Sequence, residues 1–185
     1  TATVRPPRRG PMTSSRFADQ LNAQIGEELF AHSQYVAVAA HYDALTMPQA
    51  AGFFFRQARE ERDHAMMMLR YLLDTGADIE IPAVEAPRSQ FEGVVAPVEL
   101  ALEQERRVTE QVYALTRTAR EDNDFAAEQF MQWFIKEQVE EVATMQDLLA
   151  VVGRSQDDVN DIETYVEREL GGGDADPTAP PVADA

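Results

Sequence analysis

The chain has 185 residues, no cysteine, and 33 acidic side chains against 16 Lys plus Arg, a formal net charge of -17. That length suits one domain with a real core, the lack of cysteine excludes disulfides and thiolate metal sites, and the acidity argues against a nucleic-acid surface. No apolar run approaches the roughly 20 residues needed to span a bilayer, and without a secretory signal the expected compartment is the cytoplasm, with no membrane partner.

Residues 1–15 form a basic stretch expected to be disordered, with Met12 a candidate start and residues 1–11 an added segment. The caps "TSS" then open a first helix over about Arg16 to Leu45, and Pro48 opens a second that continues to the stop signal Gly76. The third runs from about Pro97 to Glu121, "DND" (Asp122 to Asp124) breaks it, and the fourth continues to about Val152, where Gly153 is expected to end it. A shorter fifth spans Ser155 to Leu170, with Ser155 as its N-cap. The tail, residues 171–185, is rich in Gly, Pro and Ala and is expected to be disordered.

The link between the second and third helices covers about 20 residues. Extended, it reaches roughly 60 Å, whereas a 28-residue helix is roughly 42 Å long, so it can traverse a bundle lengthwise. Two antiparallel hairpins joined by one such crossover predict an all-α, ferritin-like four-helix bundle, residues 16–170, with the second and third helices parallel.

Each long helix interrupts its apolar stripe with a carboxylate. The first reads Leu21, Ile25, Glu28, His32, Tyr35, Ala39; the second Phe54, Ala58, Glu61, Ala65, Met68, Leu72, with His64 one turn beyond Glu61. The third reads Val98, Leu102, Glu105, Val108, Val112, Leu115; the fourth Phe130, Phe134, Glu137, Glu141, Met145, Leu148. One such Glu alone is equally an exposed flank. Glu28 and Glu61, however, are centred on the turn near Thr46, and Glu105 and Glu141 on "DND", so both pairs are level across their hairpins. Four converging carboxylates repel unless cations bridge them. Two divalent ions on Glu28, Glu61, His64, Glu105 and Glu141 would do so, and oxygen donors with one imidazole suit iron.

The stretches "EELFAHSQYV", "EERDH", "EQERRVTEQV" and "FMQWFIKEQVEEV" together resemble the bacterial non-haem ferritins, the actinobacterial B type among them. The resemblance implies an iron-storage ferroxidase that oxidises Fe(II) with O2 or H2O2 at a di-iron centre and keeps the Fe(III) as mineral inside a homo-oligomeric shell of 24 subunits. It implies Glu28, Glu61 and His64 as ligands of the first iron with Glu61 bridging, Glu105 and Glu141 as ligands of the second, and Glu60, Glu137 and Glu140 as a third iron site sharing Glu141. Tyr35 resembles an electron-supplying tyrosine, with a core aromatic as the alternative, and Gln138 a glutamine beside the second iron.

Bacterioferritin, the haem-binding alternative, would carry a histidine where Thr144 stands and a haem-ligating methionine where Arg62 stands, so no haem is expected. A shell-forming subunit without ferroxidase activity is the other alternative. For iron entry the resemblance points to Glu128, the neighbouring pore position being Met131, with Asp122 and Asp124 as substitutes. His32 is expected either near the metal or at a subunit contact.

Overall fold

A computed structural model describes residues 12–172 and 176–184. Five helices follow in order: α1 (Ser15–Ala44), α2 (Pro48–Thr75), α3 (Ala96–Glu121), α4 (Phe125–Arg154) and the short α5 (Val159–Glu169). No strand occurs among the described residues. The all-α bundle with one long crossover and a short fifth helix is the architecture expected, and the four long boundaries fall within two residues of the sequence reading.

The local causes are legible. Ser14 caps α1 by accepting from the Phe17 N–H, Pro48 occupies the first turn of α2, and the Asp124 carboxylate caps α4 by accepting from the Ala127 N–H. The first three helices end alike, with a left-handed residue (Thr46, Gly76 or Asn123) and paired backbone bonds returning to the last turn. Met47 N–H donates to Tyr42 O, Ala77 N–H to Leu72 O and Asp124 N–H to Ala119 O, which satisfies carbonyls the helix leaves open.

Two expectations are corrected at the C-terminal end. α4 does not stop at Gly153 but runs through Arg154, because Val151 and Val152 are buried in the core beside α5 and packing outweighs the poor propensity of one glycine. α5 starts at Val159 with Asp158, not Ser155, as its cap; the Ser155 hydroxyl instead donates to Asp161 at 2.6 Å.

The crossover runs beside α1 from one end of the bundle to the other, held by side chains of α1. The Asn22 amide bonds Asp78 O and Glu80 N–H, the Gln34 amide bonds both backbone groups of Arg88, and the Tyr42 hydroxyl donates to Val94 O at 2.6 Å. α3 therefore starts beside the C-terminal end of α1 and runs parallel to α2. The apolar interior is divided. One cluster surrounds Tyr35, Tyr42, Phe54 and Leu148 toward α5; the other surrounds Phe17, Ile25, Met68 and Phe134 toward the opposite end.

Residues 1–11 lie outside the described residues. Of the rest of the N-terminal stretch, Thr13 is buried and its hydroxyl donates to Asp124, while Ser14 Oγ donates to Asp122 at 2.7 Å. The tail, for which composition suggests disorder, makes specific contacts: Asp176 accepts from Trp133 Nε1 at 3.2 Å and pairs with Lys136 at 3.0 Å, Asp184 pairs with Arg62, and Ala183 N–H donates to Met66 O.

Candidate metal centre

Between the two apolar clusters lies a polar layer supplied by one turn of each long helix. Glu28, Glu61, Glu105 and Glu141 are 1 %, 2 %, 1 % and 6 % exposed, and His64 is buried with them. Glu28, Glu61 and His64 come within ligating distance of one another, while Glu105 and Glu141 lie near enough to act on Glu61 as like charges. His64 Nδ1 lies 3.5 Å from Glu61 Oε2 and 3.9 Å from Glu28 Oε2. One ligand atom from each of these three residues falls within 4.8 Å of the other two, a spacing that can close on one metal ion.

No Lys or Arg reaches the layer: among the described residues none forms an ion pair with the four carboxylates. Their acidities respond accordingly. Burial pushes Glu28, Glu61 and Glu141 well above the usual carboxylate range, and neighbouring carboxylates add to it, Glu61 acting on Glu28 and Glu105 on both Glu61 and Glu141. Burial also raises Glu105, but hydrogen bonds from Tyr35 and Gln138 pull the other way. Among the described residues, one oxygen of Glu28 and one of Glu141 are buried without a hydrogen-bond partner. Buried acceptors left open and unanswered negative charge both ask for a cation, which would bind with release of protons.

Neutral groups orient the carboxylates. The Tyr35 hydroxyl donates to Glu105 Oε1; Gln138 Nε2 donates to Glu105 Oε2 at 3.1 Å and to its backbone oxygen at 3.2 Å. The phenol is held well above its ordinary range, by burial first and by Glu105 next, so it stays a donor. Two glutamines did not stand out in the sequence reading: Gln24, whose Nε2 donates to Glu28 Oε1 at 2.8 Å, and Gln57, which donates to Glu60 and, at 3.5 Å, to Glu141 Oε1. The signal was present, since each sits four residues before a seam carboxylate (Glu28, Glu61) and thus one turn away on the same face.

Glu60, Glu137 and Glu140 lie outside the buried layer. They line two adjoining clefts between α2 and α4, of about 490 and 420 Å³, the first of which also exposes His64 and the second Gln57 and Glu141. Of the two acids on the α4 stripe, Glu141 is therefore the buried one and Glu137 is partly exposed. Burial raises Glu137, and Glu140 and Glu60 add to the effect.

Other candidates have local partners. His32 Nδ1 lies 2.6 Å from Ala58 O, joining α1 to α2. At the α3–α4 turn Glu128 pairs with Arg120 at 2.6 Å, Asp122 accepts from Ser14 and Arg16, Asp124 from Thr13 and two backbone N–H groups, and Met131 is buried. Met67 and Met68 pack in the core, and Arg62, at the position compared with a haem-ligating methionine, pairs with Asp63 and Asp184.

Comparison with known proteins identifies the family and the fold. The Ferritin family model, described as a ferritin-like domain, matches residues 18–155. The chain is 44% identical over 169 residues to Ferritin BfrB of Mycolicibacterium smegmatis, covering 91% of this chain and 93% of the relative. It is 46% identical over 161 residues to a Mycobacterium tuberculosis protein named both Ferritin BfrB and Bacterioferritin BfrB, covering 87% and 88%. It is 39% identical to the bacterial non-heme ferritin of Staphylococcus aureus, covering 86% and 96%. Among solved structures, the open-pore ferritin of Archaeoglobus fulgidus superposes with a TM-score of 0.80 at 28% identity, covering 84% of this chain and 96% of that one.

Proposed function

Because the chain belongs to the ferritin family, we propose that it is an iron-storage ferroxidase, and that the buried layer of Glu28, Glu61, His64, Glu105 and Glu141 binds two Fe(II) ions as substrate. The observation that carries this reading is a layer of four carboxylates, each no more than 6 % exposed, with His64 beside two of them and no Lys or Arg paired to any of them among the described residues. Burying lone carboxylates costs several kcal/mol each even after relaxation, and a pair of divalent ions would supply the neutralisation.

In this reading Glu28, Glu61 and His64 hold the first iron, Glu61 bridges, and Glu105 and Glu141 hold the second. Carboxylate oxygen favours Fe(III) over Fe(II), so the ligands help to drive oxidation. Two Fe(II) ions give up one electron each, together the two-electron reduction of O2 to H2O2 or of H2O2 to water. Tyr35 and Gln138, both hydrogen-bonded to Glu105, orient that carboxylate. Glu60, Glu137 and Glu140, which line the clefts beside Glu141, form the third iron site sharing Glu141, and in this reading that site is the outlet through which Fe(III) leaves for mineral storage in a shell of 24 copies. The His64, Glu61 and Glu28 contacts favour iron oxidation over a shell subunit without activity.

The test is an aerobic Fe(II) titration of the assembled protein beside Glu61→Ala. The native chain is expected to oxidise about two irons per subunit in a fast phase, and the variant to lose that phase. Oxidation by both at the rate of buffer alone would remove the ferroxidase assignment.

A further inference from the structure

Gln57 stands at the boundary between the buried layer and the outer acids. Its side chain is buried, 5 % exposed, yet its Nε2 is shared between Glu60 Oε2, which faces the clefts, and Glu141 Oε1, which belongs to the layer. The amide nitrogen must be the end that faces them, since both partners offer acceptor oxygens. Its own Oε1 is buried and has no partner among the described residues. An amide oxygen left open inside a protein is unusual, and here it belongs to an amide whose other end bonds two carboxylates that attract cations.

A cation placed between Glu141 and Glu60 reverses what Gln57 should present. The N–H end, suited to bare carboxylates, would then face a positive charge, while a half-turn about the last side-chain torsion brings the oxygen forward. That torsion is broad and roughly two-fold, so the half-turn is easy. We propose that Gln57 is a hand-over ligand: its carbonyl oxygen takes iron as it passes from Glu141 to Glu60, and its amide N–H holds the two carboxylates together when no iron is between them. The inference rests on the ferroxidase reading above, and adds to it a neutral oxygen donor connecting the centre with its outlet.

Gln57→Leu removes both functions at similar volume, and Gln57→Glu returns an oxygen donor. Each assembled variant receives Fe(II) aerobically in two successive additions, the second after a fixed delay, so that the first fast phase reports the centre and the second its clearance. Anaerobic Tb(III) titration, read by emission sensitised through Trp133, the only tryptophan and a lining residue of the first cleft, reports occupancy of the outlet without any turnover.

The expected result for Gln57→Leu is a second phase recovering about tenfold more slowly and a comparably weaker Tb(III) response, with a smaller loss in the first phase, and substantial recovery of both in Gln57→Glu. Recovery of Gln57→Leu at the native rate overturns the inference. So does an equal fall of first and second phases that Gln57→Glu does not relieve, the mark of a purely structural residue. Absence of any fast phase in the native protein overturns the ferroxidase reading itself and is thereby told apart. Should Gln57→Leu fail to assemble, Gln57→Met, unbranched and of the same length, takes its place.

Discussion

Two kinds of carboxylate in this chain are pushed in opposite directions by their surroundings. Glu28, Glu61 and Glu141 rise because burial removes water and the nearest charges are of like sign. Asp124, at the α4 N-terminus, is also pushed up by burial, but hydrogen bonds from the Thr13 hydroxyl and the Ala127 and Ser14 N–H groups outweigh this and hold it below its ordinary 3.8. A depressed folded-state pKa contributes stability above the unfolded value and loses it as pH falls through the folded one. Asp124→Ala should therefore cost about 1 kcal/mol at pH 7 through the lost cap, and the gap from native should narrow on acidification below about pH 3.8. Denaturant midpoints at pH 7 and pH 3 measure both. Among the buried acids, Glu28 and Glu141 each keep one oxygen without a protein donor among the described residues, and in the proposed reading a cation would complete them.

At the scale of elements, the crossover shows how an irregular segment is kept in place. It has no ladder of its own, so Asn22, Gln34 and Tyr42 on α1 supply its backbone partners at intervals along the helix. Close approach is permitted by Gly26: a Cβ there would overlap Pro82 Cγ, and the proline ring has little freedom to retreat. Gly26→Ala is expected to shift the crossover away from α1 and to destabilise the chain by about 1–3 kcal/mol, the cost of overpacking. Hydrogen exchange should show the loss of protection concentrated at the backbone of residues 78–88, where the Asn22 and Gln34 bonds are made; uniform loss across the bundle would contradict this account. The helix ends follow the same economy of local rules, with left-handed Thr46, Gly76 and Asn123 terminating three helices by one bonding pattern.

For the whole molecule, the polar layer lies between two apolar clusters, so the packed core and the candidate metal centre occupy different levels of one bundle. The core on either side excludes water from the carboxylates and keeps their mutual repulsion unscreened, which strengthens the preference for divalent ions. A charge of -17 per chain would surround any shell with cations and raise their local supply. If 24 copies assemble, the particle mass is ~500 kDa, twenty-four times 20.7 kDa. Light scattering on the purified protein checks this, and a mass near that of a dimer would remove the shell from the proposal.

The architecture was legible because it depends on patterns that survive in one dimension. Helix period, caps, the Gly76 stop and the length of the crossover dictate an all-α bundle with two level hairpins, and the level hairpins place Glu28 opposite Glu61 and Glu105 opposite Glu141. What only the tertiary structure decided is which polar groups meet. The ends of α4 and α5 followed packing against Val151 and Val152 instead of Gly153 and Ser155. The partners of Gln24 and Gln57, the separation of buried Glu141 from partly exposed Glu137, and the pairing of Glu128 with Arg120 depend on rotamers and on neighbours far away in sequence. Periodicity assigns a residue to a face; the atom it touches is set by the other helices that close over that face.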